Sequence, residues 1–211
     1  MEAPKPNPVY RAAWYLARFL LHLLFGYRVE GRERVPEQGP VILAANHLSI
    51  LDPIVIGAGI RRPVSFLARA DVFRLPLLSW LLPRLYAIAV ERGTGDLSAI
   101  KGAIRALERG MAFGIFPEGT RSRNGRLQRL KTGVASIAFR TGSPVVPVAV
   151  VGTEEAWPVG RKLFRLRRPV RVVYGEPIPV PRKSKVSHQE LENLTQEIEA
   201  RVRELLPPRY R

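Results

Sequence analysis

His47 and Asp52 stand five residues apart in Asn46-His47-Leu48-Ser49-Ile50-Leu51-Asp52, directly after the apolar run Val41–Ala45. An imidazole has the proton affinity of a general base near neutral pH. A carboxylate on its other ring nitrogen fixes the tautomer and stabilises the imidazolium. In a regular helix five positions diverge by about 140°. The pair therefore needs a turn leading into a helix that begins near Asp52, which brings the carboxylate back to the ring. A second polar stretch, Phe116-Pro117-Glu118-Gly119-Thr120-Arg121-Ser122, follows the apolar run Ala112–Phe116. Gly119 permits close backbone approach to a ligand, and Arg121 offers a planar, permanently charged fork for phosphate oxygens. Glu118 can orient that arginine. A third run, Ala87–Arg92, ends in Glu91-Arg92 and delivers another guanidinium. Taken singly, each stretch has a plain structural alternative: a histidine held for packing, a solvated turn, a strand leaving the core.

These residues need elements to carry them. Short apolar runs at Val41–Ala45, Val64–Ala68, Ala87–Val90, Ala112–Phe116, Val145–Val151 and Val170–Tyr174 read as strands. Between them, Leu97–Arg109 puts Ile100, Ala103, Ile104 and Leu107 on one face, with Asp96 as a cap in front and Gly110 behind; Thr132–Thr141 closes in the same way at Gly142. The last helix opens on the capping box Ser187-x-x-Glu190 and aligns Leu191, Leu194, Ile198, Val202 and Leu205. Alternating strands and helices predict one α/β domain, a mainly parallel mixed sheet flanked by helices, in which the three polar stretches follow strands, where such folds place their sites.

The N-terminus is different. After the proline-rich residues 1–8, Val9–Gly26 reads as an amphipathic helix in which Arg11, Tyr15, Arg18 and His22 form one polar stripe. At ~1.5 Å per residue it would be roughly 27 Å long, but Arg18 at a bilayer centre would cost about 2.5 to 3.5 kcal/mol. The expectation is a helix lying in the membrane interface, its aromatic residues Trp14, Tyr15, Phe19 and Phe25 at headgroup level and its cationic stripe on anionic lipid. An ordinary core helix is the alternative. Residues 1–26 would then be tail and anchor, separable from a domain over 27–211. Val72–Tyr86, apolar almost throughout and broken by Pro76 and Pro83, is either a buried connector or a second lipid-touching patch.

Composition bounds the partners. The 211 residues include 34 Lys plus Arg against 18 Asp plus Glu, a net charge of +16, and no cysteine. Disulfide scaffolds, thiolate metal sites and cysteine nucleophiles are excluded. The charge points to a polyanion: nucleic acid, an anionic membrane or phosphate-bearing substrates. A nucleic-acid module would rest on the basic stretch Arg161–Lys185, but no zinc finger, RNP-like signature or KH-type loop accompanies it.

NHLSILD, a strand ending in Arg92, FPEGTRS and then VVPVAV around Pro147 together resemble the four-block pattern of the glycerophospholipid acyltransferases, specifically the 1-acyl-sn-glycerol-3-phosphate acyltransferases, over roughly Tyr27 to Trp157. The resemblance implies transfer of a fatty acyl group from a thioester, acyl-CoA or acyl carrier protein as co-substrate with no cofactor or metal, to the hydroxyl of lysophosphatidic acid. It implies His47 and Asp52 as catalytic residues, and Asn46, Arg92, Glu118, Gly119, Thr120 and Arg121 at the substrate. The chemistry is consistent with this: the acceptor alcohol is itself the nucleophile, so no Gly-x-Ser-x-Gly elbow is needed, and none is present. Related sequences commonly read Ala-Lys-x-Glu-Leu-Phe where this one has Ala68-Arg69-Ala70-Asp71-Val72-Phe73, which places Arg69 at the phosphate or the oxyanion. Lys131, ahead of the Gly133 helix, is a candidate for a further phosphate contact, with a plain surface lysine as the alternative. Tyr86 stands where a glycine often precedes the Arg92 block. The implied partners are an anionic membrane surface, lysophosphatidic acid and the thioester donor, with no nucleic acid; the implied location is peripheral or monotopic on the cytoplasmic face of the cell membrane.

Overall fold

A computed structural model of the chain describes residues 3–91, 96–161 and 163–211. Its elements are α1 (Pro8–Phe25), β1 (Arg28–Glu30), β2 (Val41–Ala45), α2 (Asp52–Gly59), β3 (Val64–Arg69), α3 (Pro76–Arg84), β4 (Ile88–Val90), α4 (Asp96–Glu108), β5 (Ala112–Ile115), α5 (Gly133–Thr141), β6 (Val145–Val151), α6 (Thr153–Ala156), β7 (Arg171–Tyr174) and α7 (His188–Leu205). The strands form one sheet in the order β1-β7-β6-β2-β5-β3-β4, parallel throughout except for the antiparallel β6–β7 pair.

All residues of β2 and β6 are buried, as strands covered on both faces must be. Their side chains alternate between two cores. Ile42, Ala44, Val145 and Ala149 pack with Leu107 of α4, Val134 and Ala138 of α5, and Ile198 and Val202 of α7. Val41, Leu43, Val146 and Val148 pack on the other face with Leu21 and Phe25 of α1 and Val55 and Ile56 of α2. Burying each such aliphatic side chain stabilises by about 1.5 to 3 kcal/mol. The result is a single α/β domain in which β2, β3, β4, β5 and β6 deliver their C-terminal loops to one edge, while β1 and β7 run the other way.

The expected strands are present to within about a residue at each end, but β1 was not legible. Its three residues, Arg28, Val29 and Glu30, form a short edge strand with Arg28 and Glu30 exposed, and so carry no apolar run.

The N-terminal helix is present, with Arg18 of its polar stripe placed differently from expectation. Asn7 caps it by accepting the Tyr10 N–H, and Gly26 ends it at φ 55°. Arg18 turns inward and donates to the Ala58 carbonyl, while the Trp14 indole donates to Ile60. These carbonyls at the end of α2 have no partner within their own helix and need donors. The outward face of α1 is largely apolar: Tyr15, Leu16, Phe19, Leu20 and Leu23 are exposed, with Arg11 and His22 exposed beside them. Because Tyr10, Leu21 and Phe25 are buried, α1 is also part of the core, so removing residues 1–26 opens one face of the sheet.

Val72–Tyr86 is no buried connector. None of the residues of α3 is buried, and Leu75, Leu77 and Trp80 are exposed. The helix ends with Ala87 donating to Leu82 and Tyr86 to Pro83, the arrangement that puts its first post-helical residue in the left-handed region. Tyr86 takes that position at φ 60°, which accounts for the glycine of related sequences. Its hydroxyl accepts the Asn7 N–H, and its ring meets Tyr10 edge-on at 5.5 Å, so the strained tyrosine pins the start of α1.

Candidate active site

Strands β2, β5 and β6 are neighbours, so the loops after them meet. After β2 the chain turns through residues 46–51 and enters α2 at Asp52. The turn folds the Leu48 and Ser49 N–H groups onto Asp52 Oδ2, at 2.6 and 2.8 Å. The same oxygen lies 2.7 Å from His47 Nδ1. A carboxylate only accepts, so Nδ1 carries the proton and Nε2 is left as the basic nitrogen. The other oxygen, Oδ1, accepts the Thr153 hydroxyl at 2.6 Å from the loop after β6. Asp52 is fully buried, and these four hydrogen bonds offset the cost of its desolvation.

The imidazole lies against Phe116, with centroids 3.9 Å apart and planes 15° apart. Its side chain is 19% exposed, enough for a substrate hydroxyl to reach it. Orientation is thus set by a ring face, a carboxylate and the backbone together.

Glu118 binds that backbone. One carboxylate oxygen accepts the His47 N–H at 2.7 Å, and the other accepts the Gln128 N–H at 2.9 Å. Ser122 N–H in turn donates to the His47 carbonyl at 2.7 Å. The loop after β5 therefore grips His47 on both sides. Burial pushes the Glu118 carboxyl up to about 7, the two N–H donors pulling against it. Folded protein then takes up this proton before unfolded chain does, so the contribution of Glu118 to stability falls as pH rises from about 4.5 to about 7 and is level above that. The difference in unfolding free energy between wild type and Glu118→Gln, measured in urea, should shrink across that window; a constant difference would show that Glu118 does not titrate there.

Gly119 sits at φ 75°, with Lys131 Nζ lying 2.9 Å from where a side-chain carbon would be. Lys131 is held there by its own N–H on the Pro117 carbonyl, at 2.9 Å. Arg121 is exposed, one residue from the contact between Ser122 and His47. An ammonium and a guanidinium thus stand on the same loop that grips His47.

The Acyltransferase family model matches residues 26–151, more than half of the chain. The chain belongs to this acyltransferase family. A 1-acyl-sn-glycerol-3-phosphate acyltransferase from Bacillus subtilis is 28% identical over 190 residues, covering 89% of this chain and 92% of that protein. A lyso-ornithine lipid O-acyltransferase from Pseudomonas aeruginosa is 32% identical over 182 residues, covering 79% and 69%. The crystal structure of the 1-acyl-sn-glycerophosphate acyltransferase PlsC from Thermotoga maritima is similar with a TM-score of 0.77 and 30% identity, covering 93% of this chain and 79% of that one. The chain spans 46% and 44% of the length of the chloroplastic 1-acyl-sn-glycerol-3-phosphate acyltransferases of Arabidopsis thaliana and Brassica napus.

In this acyltransferase the expected site residues fall into three groups. His47, Asp52, Glu118, Gly119, Thr120, Arg121 and Lys131 lie on the two adjoining loops. Asn46 and Arg69 have other engagements. The Asn46 amide is buried and exchanges two hydrogen bonds with the Val150 backbone, at 2.9 and 2.7 Å, so it clamps β2 to β6. The Arg69 guanidinium is exposed and paired with Asp71. Arg92 lies outside the described residues. Thr153, the Phe116 ring and the Ser49 hydroxyl, which donates to the Trp157 carbonyl at 2.7 Å, were missed in the sequence. Thr153 is 101 residues from Asp52, and only its place after a strand marks it. An open cavity of about 700 Å³, lined by Leu48, Ser122, Arg123, Glu154, Arg209 and Tyr210 among others, adjoins these loops but does not include His47.

Proposed function

We propose that this acyltransferase transfers a fatty acyl group from a thioester, acyl-CoA or acyl carrier protein, to the free hydroxyl of 1-acylglycerol-3-phosphate, forming phosphatidic acid. The observation that carries the reading is the His47–Asp52 pair at 2.7 Å, held by the loop that also presents Arg121 and Lys131. His47 Nε2 takes the hydroxyl proton as the acceptor oxygen attacks the thioester carbonyl. The C–S bond breaks from the tetrahedral intermediate, and the imidazolium returns the proton to the thiolate. Asp52 stabilises the imidazolium in between. Holding the phosphate on Arg121 and Lys131 sets the distance from the glycerol hydroxyl to the base, so binding energy becomes orientation. Relatives named for lysophosphatidate and for lyso-ornithine lipid are about equally similar, and the two cations favour the phosphate-bearing acceptor.

The uncovered apolar faces of α1 and α3 support a second part of the reading: the enzyme works docked on an anionic membrane surface, taking its acceptor from the leaflet. Among the described residues no helix is long and apolar enough to cross a membrane. Ile50 and Ile54, flanking Asp52, are exposed too, which puts apolar surface beside the base.

The test is purified protein with labelled acyl-CoA or acyl carrier protein against a panel holding lysophosphatidic acid, other lysophospholipids and lyso-ornithine lipid. Transfer restricted to the phosphate monoester supports the proposal; transfer only to lyso-ornithine lipid overturns it. Arg121→Ala is expected to raise KM for lysophosphatidic acid roughly 10- to 100-fold, the worth of a hydrogen bond to a charged group. An unchanged KM would place the phosphate elsewhere.

A further inference from the structure

Between α6 and β7 the chain makes a loop whose exposed side chains have no part in the site. Val159, Leu163, Phe164 and Leu166 are exposed there, Leu163 at 77%. Arginines 161, 165, 167 and 168 alternate with them. Of these four, Arg168 alone has an acidic partner among the described residues, Glu155 at 3.8 Å. A water-facing loop has no reason to hold four apolar side chains outward.

The loop is built rather than loose. Arg165 N–H donates to Ala156 at 2.7 Å, and the Trp157 indole donates to Arg161 at 2.9 Å. Arg167 takes a left-handed backbone at φ 57° while its N–H donates to the Leu24 carbonyl at 2.9 Å, a strain that persists only when the surroundings hold it. Phe164 packs edge-on against Phe25, 5.8 Å between centroids, and against Trp157 at 5.9 Å. These contacts seat the loop beside the last turn of α1, where Leu23 is 66% exposed. The Trp157 carbonyl meanwhile holds the Ser49 hydroxyl of the His47 loop.

We propose that this loop is a further lipid-contact element, which places the Leu163 and Leu166 side chains at acyl-chain depth in an anionic leaflet while its arginines engage the phosphates. The inference rests on the membrane-docking reading and extends it from the two helices to a loop that adjoins α1. An acidic protein would be served by the arginines alone. The apolar tips, continuous with the uncovered face of α1, match a bilayer, where each basic residue near the surface adds its own attraction to the headgroups.

The chain has no cysteine, so single-cysteine variants can be labelled cleanly. Leu163→Cys and Leu166→Cys test the loop, Leu23→Cys serves as the α1 reference, and Glu197→Cys marks the exposed surface of α7. Each full-length variant carries a polarity-sensitive fluorophore and is titrated with vesicles of phosphatidylcholine containing phosphatidylglycerol, without substrate. The 163 and 166 probes should shift to the blue and be quenched by chain-brominated lipid, while the 197 probe stays unchanged. If the 23 probe inserts and the 163 and 166 probes remain aqueous, the proposal is overturned. It is equally overturned if those two respond to acyl carrier protein and not to vesicles. A Leu163→Asp, Leu166→Asp double variant should bind the anionic vesicles about tenfold or more less tightly with an unchanged circular dichroism spectrum; undiminished binding would refute the loop's part. No step involves acyl transfer, so failure here leaves the proposed reaction standing, and an inactive enzyme leaves the docking result standing.

Discussion

His47→Ala is expected to lower kcat by roughly 10²- to 10⁴-fold, the usual worth of a positioned general base, with little change in KM for the acceptor. The fold should survive. The ring is partly exposed and rests on Phe116, while the contacts that hold this position come from its backbone N–H to Glu118 and its carbonyl from Ser122. Alanine keeps both. The measurement is steady-state kinetics with lysophosphatidic acid beside a urea melt. Turnover within a few-fold of wild type would remove His47 as the base, because Asp52 is fully buried and cannot reach the substrate in its place.

Asp52 should show a double loss. Asp52→Asn keeps the shape but sets an amide donor among four donors: His47 Nδ1, the Leu48 and Ser49 N–H groups and the Thr153 hydroxyl. The imidazole is then pushed to the wrong tautomer or out of place, and kcat should fall roughly 10³- to 10⁴-fold, as for the amide substitution in a Ser-His-Asp triad. Asp52→Ala removes the acceptor altogether and strands two backbone N–H groups in the core. At about 1 to 3 kcal/mol for each, stability should drop by roughly 2 to 6 kcal/mol. Thermal denaturation of both variants separates the effects: the alanine should melt well below the asparagine variant while the two are similarly inactive. Equal melting temperatures would mean the turn at 48–49 is not held by Asp52.

These predictions depend unequally on sequence and on structure. His47, Asp52 and the turn between them were legible because their spacing excludes a helix and the following residues start one. The strands that carry the loops were legible as apolar runs bounded by polar residues, and β1 was not, being a short edge strand with two of its three residues charged and exposed. The polar stripe of α1 was visible, but its direction was not. Periodicity tells which residues share a face and is silent on which neighbour needs that face; carbonyls at the end of α2 claimed Arg18 and Trp14. Tyr86 shows the reverse case: one backbone angle explains the glycine of the family pattern, and here tyrosine adopts that angle.

By itself, then, the order of residues determined the α/β class and marked out the two polar loops and the His47–Asp52 pair as the proposed site, since each is written in contiguous segments. Tertiary structure alone decided that Asp52 is completed by Thr153 from 101 residues away, that Glu118 grips the His47 backbone instead of orienting Arg121, and that Asn46 clamps two strands. The physical reason is common to all three. A buried polar group must find a partner, and which donors and acceptors remain unpaired is settled only after the strands have paired and the helices have packed.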